Sequence, residues 1–175
     1  MQRHDPAPLR WLLRLNVICA VLSGAALLLM MLAGTADVIG TNLDLIGLPS
    51  RPVPAVFEFI AAMMVVSTFM ALGLAQSRRR HIRVGIITGI LPPPAQTCAA
   101  MLQHALSAGF FFAIAWFGAK AALHSFLVGE YAPGLVNFPL WPARGFLAAG
   151  ALLMGVQSLA DLINTLLRRG SEPPA

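Results

Sequence analysis

Residues 76–84 read Gln-Ser-Arg-Arg-Arg-His-Ile-Arg-Val, so Arg78, Arg79, Arg80 and Arg83 place four of the chain's twelve Lys and Arg residues within six positions. Guanidinium groups at that density bind lipid phosphates or partner carboxylates through paired N–H donors, and His81 among them can hydrogen-bond at headgroup level. The cluster also reads as a purely topological charge signal, and its residue types do not separate the two. Glu58 opens an apolar run, where the helix dipole favours a carboxylate, so it is either a capping residue or a partner contact. Glu130 follows Gly129 at the close of another run, in a stretch that ends Phe138-Pro139-Leu140-Trp141-Pro142. Those prolines and Trp141 make a stiff, amphipathic corner suited to anchoring a helix at an interface or presenting a docking edge.

Other chemistry finds little footing. No nucleophile and base stand at recognisable spacing, and neither HExxH nor CxxC occurs, so no catalytic, cofactor or metal residue is assigned. Four-helix membrane cytochromes hold haem between histidines on different helices at matching depth. His104 and His124 lie on one predicted helix, about 30 Å apart at 1.5 Å per residue, and cannot clasp one haem. His81 with His104 stays open, and an electron-transfer anchor is therefore the alternative functional class. Cys19 and Cys98 read as small core residues. Asp37, Glu58, Lys120 and Asp161 fall toward helix ends and not at mid-span, with Asp161 expected to pair with the arginines at the cytoplasmic side and Lys120 to snorkel. Without mid-span carboxylates or broken helices, a self-contained ion-coupled transporter is disfavoured.

The elements that position these residues follow from composition. With 58% hydrophobic and 11% charged residues, the chain cannot hide its apolar surface in a soluble core, and it reads as an all-α integral membrane protein. Apolar runs predict four transmembrane helices at about 12–39, 56–77, 95–128 and 144–167, forming one bundle in a single membrane domain, 1–175. Nine of the basic residues (Arg3, Arg10, Arg14, the four at 78–83, Arg168 and Arg169) fall on one side. That bias places both termini in the cytoplasm and two loops outside, with Trp11 and Trp141 near opposite interfaces. A signal peptide is the competing reading of the first segment, but its apolar run exceeds the usual length. The net charge of +5 flanks helices, which suits anionic lipid and not nucleic acid.

Residues 82–91 are too short to span and suit a segment lying in the interface between the second and third helices. The third helix is longer than a perpendicular crossing needs and should tilt or project. Small residues recur on it at Ala105, Gly109 and Ala113, and on the fourth at Gly145 and Ala149, a spacing that serves internal packing or docking on a second membrane protein.

Three motifs together resemble the small membrane subunit of tripartite ATP-independent periplasmic (TRAP) transporters, the DctQ-type family. Arg51-Pro52-Val53-Pro54 leading to Glu58 is similar to the family's Arg-Pro, second Pro and acidic residue opening the second helix. His81-Ile82-Arg83-Val84 resembles His-Ile-x-Val-Asp, with Gly85 where the Asp is common. Ser125, Gly129-Glu130 and the Pro-Leu-Trp-Pro segment resemble the link between the last helices. Gly40-Thr41-Asn42 departs from the usual basic and aromatic pair. The resemblance implies a bacterial inner-membrane accessory subunit with no cofactor, stably bound to a large membrane subunit and transiently to a periplasmic binding protein. It further implies ion-gradient-driven, sodium-coupled symport of an organic anion by the large subunit. Partner or lipid contacts are then expected at Glu58, Arg78, Arg79, Arg80, His81, Arg83, Glu130 and Trp141.

Overall fold

The computed structural model describes residues 7–77, 92–134 and 136–169. Four long helices account for most of them: α1 (Ala7–Thr41), α2 (Val56–Ser77), α3 (Pro93–Val128) and α4 (Trp141–Arg169). All four are long and apolar enough to cross a membrane, where a helix is favoured because it pairs each backbone amide within its own segment. At 35 and 36 residues, α1 and α3 extend to about 50 Å, well beyond the hydrocarbon thickness of about 30 Å. The segment expected in the interface, 82–91, lies outside the described residues, as do Arg78, Arg79, Arg80, His81 and Arg83.

The bundle is drawn out into a row. The main contacts join α1 to α2, α2 to α4 and α4 to α3, giving the spatial order α1–α2–α4–α3. Polar pairs fix which ends meet. Asn16 Nδ2 donates to Gln157 Oε1 at 2.9 Å, and Gln76 Nε2 donates to Asp161 Oδ2 at 3.2 Å, so the start of α1 and the ends of α2 and α4 share one end. The α1–α2 and α3–α4 links share the opposite end, called here the loop end.

Small residues set the spacing within the row, as expected where lipid supplies no hydrophobic drive between helices. A Cβ at Gly150 of α4 would fall on the Phe69 backbone of α2, and one at Gly73 of α2 would fall on the Asn16 side chain of α1. Ala26, Val66 and Met70 are buried between α1 and α2, with Cys19 and Met63 against them. Ser23 Oγ of α1 donates to the Ser67 carbonyl of α2 at 2.6 Å.

Two links close the loop end. After α1, a 3-10 turn (Asn42–Ile46) ends at left-handed Gly47, and the chain returns with Arg51 N–H donating to the Gly40 carbonyl at 2.8 Å. A side chain at Gly40 would collide with that carbonyl-to-amide approach, because its Cβ would meet the Arg51 backbone. Asp37 Oδ1 accepts from Val53 N–H at 2.8 Å, tying the Pro52-Val53-Pro54 strap to α1. After α3, left-handed Gly129 returns its N–H to the Ser125 carbonyl, the usual helix stop. Two short strands then pair antiparallel, β1 (Tyr131–Ala132) with β2 (Phe138–Pro139), before α4 begins.

Candidate functional site

Chemistry in the described residues concentrates at the loop end, around the α3–α4 link. Glu130 stands just past the Gly129 stop, and the β1–β2 pairing returns the chain so that Leu140 N–H donates to the Glu130 carbonyl at 3.2 Å. One turn later, Arg144 projects back toward Glu130. Its Nη1 and Nη2 donate to the two carboxylate oxygens at 2.6 and 2.9 Å, a fork-to-fork pair. Ser125 Oγ donates to Glu130 Oε2 at 2.8 Å and also accepts from Arg144 Nη1, while Nη1 lies 3.5 Å from the Ala121 carbonyl. These hydrogen bonds, from Arg144 first and Ser125 second, hold the Glu130 carboxyl below its ordinary range against a smaller opposing effect of burial.

An arginine in the first turn of a helix is misplaced with respect to the helix dipole. The Glu130 carboxylate offsets that, so the clasp positions α4 on α3 as well as closing the link. Trp141, which starts α4, packs edge-to-face on Phe126 of α3 with centroids 5.5 Å apart and an interplanar angle of 82°. It is about half exposed, an anchor that also shows surface. Glu130 and Trp141 were expected here; Arg144 was not singled out. The signal available was a lone cation in the first turn of an apolar helix, with an acidic residue fourteen positions earlier.

Glu58 reaches the same end from α2. It is half-buried in the first turn, and the tip of the α3–α4 link lies over it so closely that a Cβ at Gly134 would collide with its carboxylate. Beneath it, between α2 and α4, runs a cavity of about 460 Å³ whose lining includes Glu58, Ala61, Val65, Ala143, Arg144 and Leu147. The structure thus brings Glu58, Glu130 and Trp141 to one end. The arginine cluster with His81 lies outside the described residues.

Other expected residues are dispersed. Asp161 accepts from Gln76, and its carbonyl accepts from Thr165 Oγ1 at 2.8 Å. Lys120 Nζ lies 5.0 Å from the Trp116 ring centroid on the exposed side of α3. His104 is buried on α3 a turn from Ser107, whose hydroxyl is 3.1 Å from that of Ser158; His124 is exposed on the same helix. Cys19 is half-buried against the α1–α2 core as expected, but Cys98 is exposed, because α3 stands at the edge of the row and covers only one side. Ala105, Gly109 and Ala113 also face outward, and a Cβ at Gly109 would meet nothing within 4 Å.

A polar contact missing from the sequence reading lies deeper. Asn16 is fully buried, its amide on Gln157 and its carbonyl oxygen against Gly73, so three helices meet at one side chain. Both residues are uncharged, and nothing in their spacing announces the pairing.

Comparison with curated proteins finds no match. The sequence does match the family described as tripartite ATP-independent periplasmic transporters, DctQ component, over residues 30–168. That span runs from the last third of α1 to the last turn of α4 and takes in the proline strap, Glu58, the Glu130–Arg144 clasp and Trp141. The chain belongs to the DctQ family, the small membrane component of TRAP transporters.

Proposed function

We propose that this chain is a static brace: it binds the large membrane subunit of its transporter as a stable heterodimer and offers loop-end surface to a periplasmic binding protein. The family is one of transporter components and not of enzymes. The observation that carries the reading is the character of the row's interior. The middle of every span is free of charged residues (17–34, 60–73, 105–119 and 145–156); within these stretches Ser23 of α1 bonds the Ser67 carbonyl of α2, and at their margin Asn16 of α1 bonds Gln157 of α4. Such an interior fixes helices to one another and offers no path for an ion or an anion. Membership of the family then assigns substrate movement to the large subunit, driven by an ion gradient, with sodium as the proposed coupling ion and an organic anion as the proposed cargo. The basic bias puts both termini and the 78–83 cluster in the cytoplasm of a bacterial inner membrane, and the loop end in the periplasm.

Affinity purification of the tagged chain from its native membrane in mild detergent, with mass spectrometry of what accompanies it, tests the proposal. The expected result is one much larger polytopic membrane protein in stoichiometric amount. A chain that purifies alone, or with a haem-bearing partner visible by its absorption band, refutes it. Liposomes containing this chain alone should take up no substrate. Charge reversal of Arg78, Arg79 and Arg80 should lower the yield of the complex; unchanged yield and transport would remove the cluster from the partner interface.

A further inference from the structure

The cavity between α2 and α4 is not explained by bracing. Its α2 wall descends from Phe57 to Val65, about 12 Å at 1.5 Å per residue, so it starts at the loop-end boundary of the span and runs two turns into the apolar layer. Alanines at 61 and 143 leave the space that larger side chains would fill. Two opposite charges stand at its mouth. Glu58 has no hydrogen-bond or ion-pair partner among the described residues, whereas Arg144 is neutralised by Glu130 yet keeps its Nε donor uncommitted there. Glu58 and the Arg144–Glu130 pair together carry one net negative charge, and Glu58 and Arg144 both line this largely apolar groove at the end of the span.

From this geometry we infer that the groove is a binding site for one acyl chain of an aminophospholipid, with the ammonium group on Glu58 and the phosphate beside Arg144. A zwitterionic headgroup complements both charges. Phosphatidylglycerol carries the same phosphate but no ammonium group to meet Glu58, so it is disfavoured. The volume lies in the range of sites that bury most of a ligand, and a single hydrocarbon chain is the occupant that the surrounding bilayer supplies.

The test uses the full chain, delipidated in detergent and titrated with phosphatidylethanolamine or phosphatidylglycerol of matched chains, read by native mass spectrometry. A one-to-one phosphatidylethanolamine adduct is expected, favoured about tenfold over phosphatidylglycerol, the scale of one charge-assisted hydrogen bond. Glu58→Gln should abolish the preference while leaving residual binding. Ala61→Phe, which fills the groove from an exposed position, should remove both adducts; circular dichroism and monodisperse elution establish that each variant is folded. Equal retention of the two lipids, an unaltered preference in Glu58→Gln, or an adduct that survives Ala61→Phe overturns the inference. So does a Glu58→Gln variant that loses a protein partner but keeps its lipid selectivity.

Discussion

Replacing Gly150 by alanine should force α2 and α4 apart, because the added Cβ would lie 2.6 Å from the Phe69 carbonyl carbon and 2.8 Å from the Phe69 Cβ, with the carbonyl oxygen closer still. Ordinary contact begins at 3.4 Å, so the two helices must separate by close to an ångström. Backbone atoms cannot swing aside as a side-chain tip can. A gap of 0.5–1 Å forfeits roughly a quarter to a half of each van der Waals well along the contact, and overpacking of this kind costs about 1–3 kcal/mol. Glycine-to-alanine by itself favours a helix by about 0.5–1 kcal/mol, so an open glycine supplies the control. Gly109 and Gly145 meet nothing within 4 Å, and Gly109→Ala should be neutral or slightly stabilising in the isolated chain. Gly118→Ala falls between, because the obstructing atom, at 2.8 Å, is a Leu147 methyl that can rotate. Thermal denaturation in mild detergent, followed by loss of monodisperse protein, should rank the variants Gly109, Gly118, Gly150 in falling stability, with the last several degrees below the wild type. Gly150→Ala as stable as Gly109→Ala would refute backbone contact between α2 and α4.

Acid should loosen the α3–α4 link before the rest of the molecule. The Glu130 carboxyl is held below its ordinary value of 4.5, so its contribution to stability is complete above that value and fades as pH falls through the lower folded-state value. Limited proteolysis within 129–140 should therefore quicken only below about pH 4.5 in the wild type, with no such step in Glu130→Gln. Substituting Asn16 by leucine strands the Gln157 amide inside the row and should destabilise the chain by about 1–3 kcal/mol in denaturation. The double variant Asn16→Leu with Gln157→Leu should recover part of that loss; additive losses would mean that the two amides are not partners. Gly134→Leu should displace the link from Glu58, seen as faster proteolysis near 134 with α3 and α4 intact, and unchanged proteolysis would mean that the tip does not rest on that carboxylate.

Much of this fold was legible because hydrophobic length is a one-dimensional property. Apolar runs separated by Arg51, by the 78–83 cluster and by the proline-rich corner at 138–142 announce four spans without any pairing information. The helices nevertheless run past the apolar runs, α4 starting at Trp141 and α3 at Pro93, since proline in a first turn loses no intrahelical hydrogen bond. The order α1–α2–α4–α3 was not legible. In a soluble helix a polar face marks the outside; here the outer faces of α1 and α3 are as apolar as the inner ones, with Leu28, Met31, Phe110 and Phe117 all exposed, so periodicity carries no direction. The stripe Ala105–Gly109–Ala113 illustrates the consequence: its spacing suits close helix contact, yet the contacts within the chain fall on Gly73, Gly118 and Gly150 instead.

The site divides along the same line. Glu58, Glu130 and Trp141 were recognisable because a charge or an indole at the end of an apolar run has few reasons to be there. Arg144 is the fourth member of that group, and its meaning depended on the two-residue strands that fold Glu130 back to it, which no propensity signals. Clasp, strap and packing glycines all restrain the row, whereas Glu58, at the mouth of the apolar groove, has no hydrogen-bond or ion-pair partner among the described residues. A carboxylate only half exposed at the edge of hydrocarbon is costly unless a cation or a hydrogen-bond donor meets it. If a lipid ammonium group meets Glu58, the Glu58→Gln variant loses its lipid preference; if a protein partner does, that variant loses the partner and keeps its lipid selectivity.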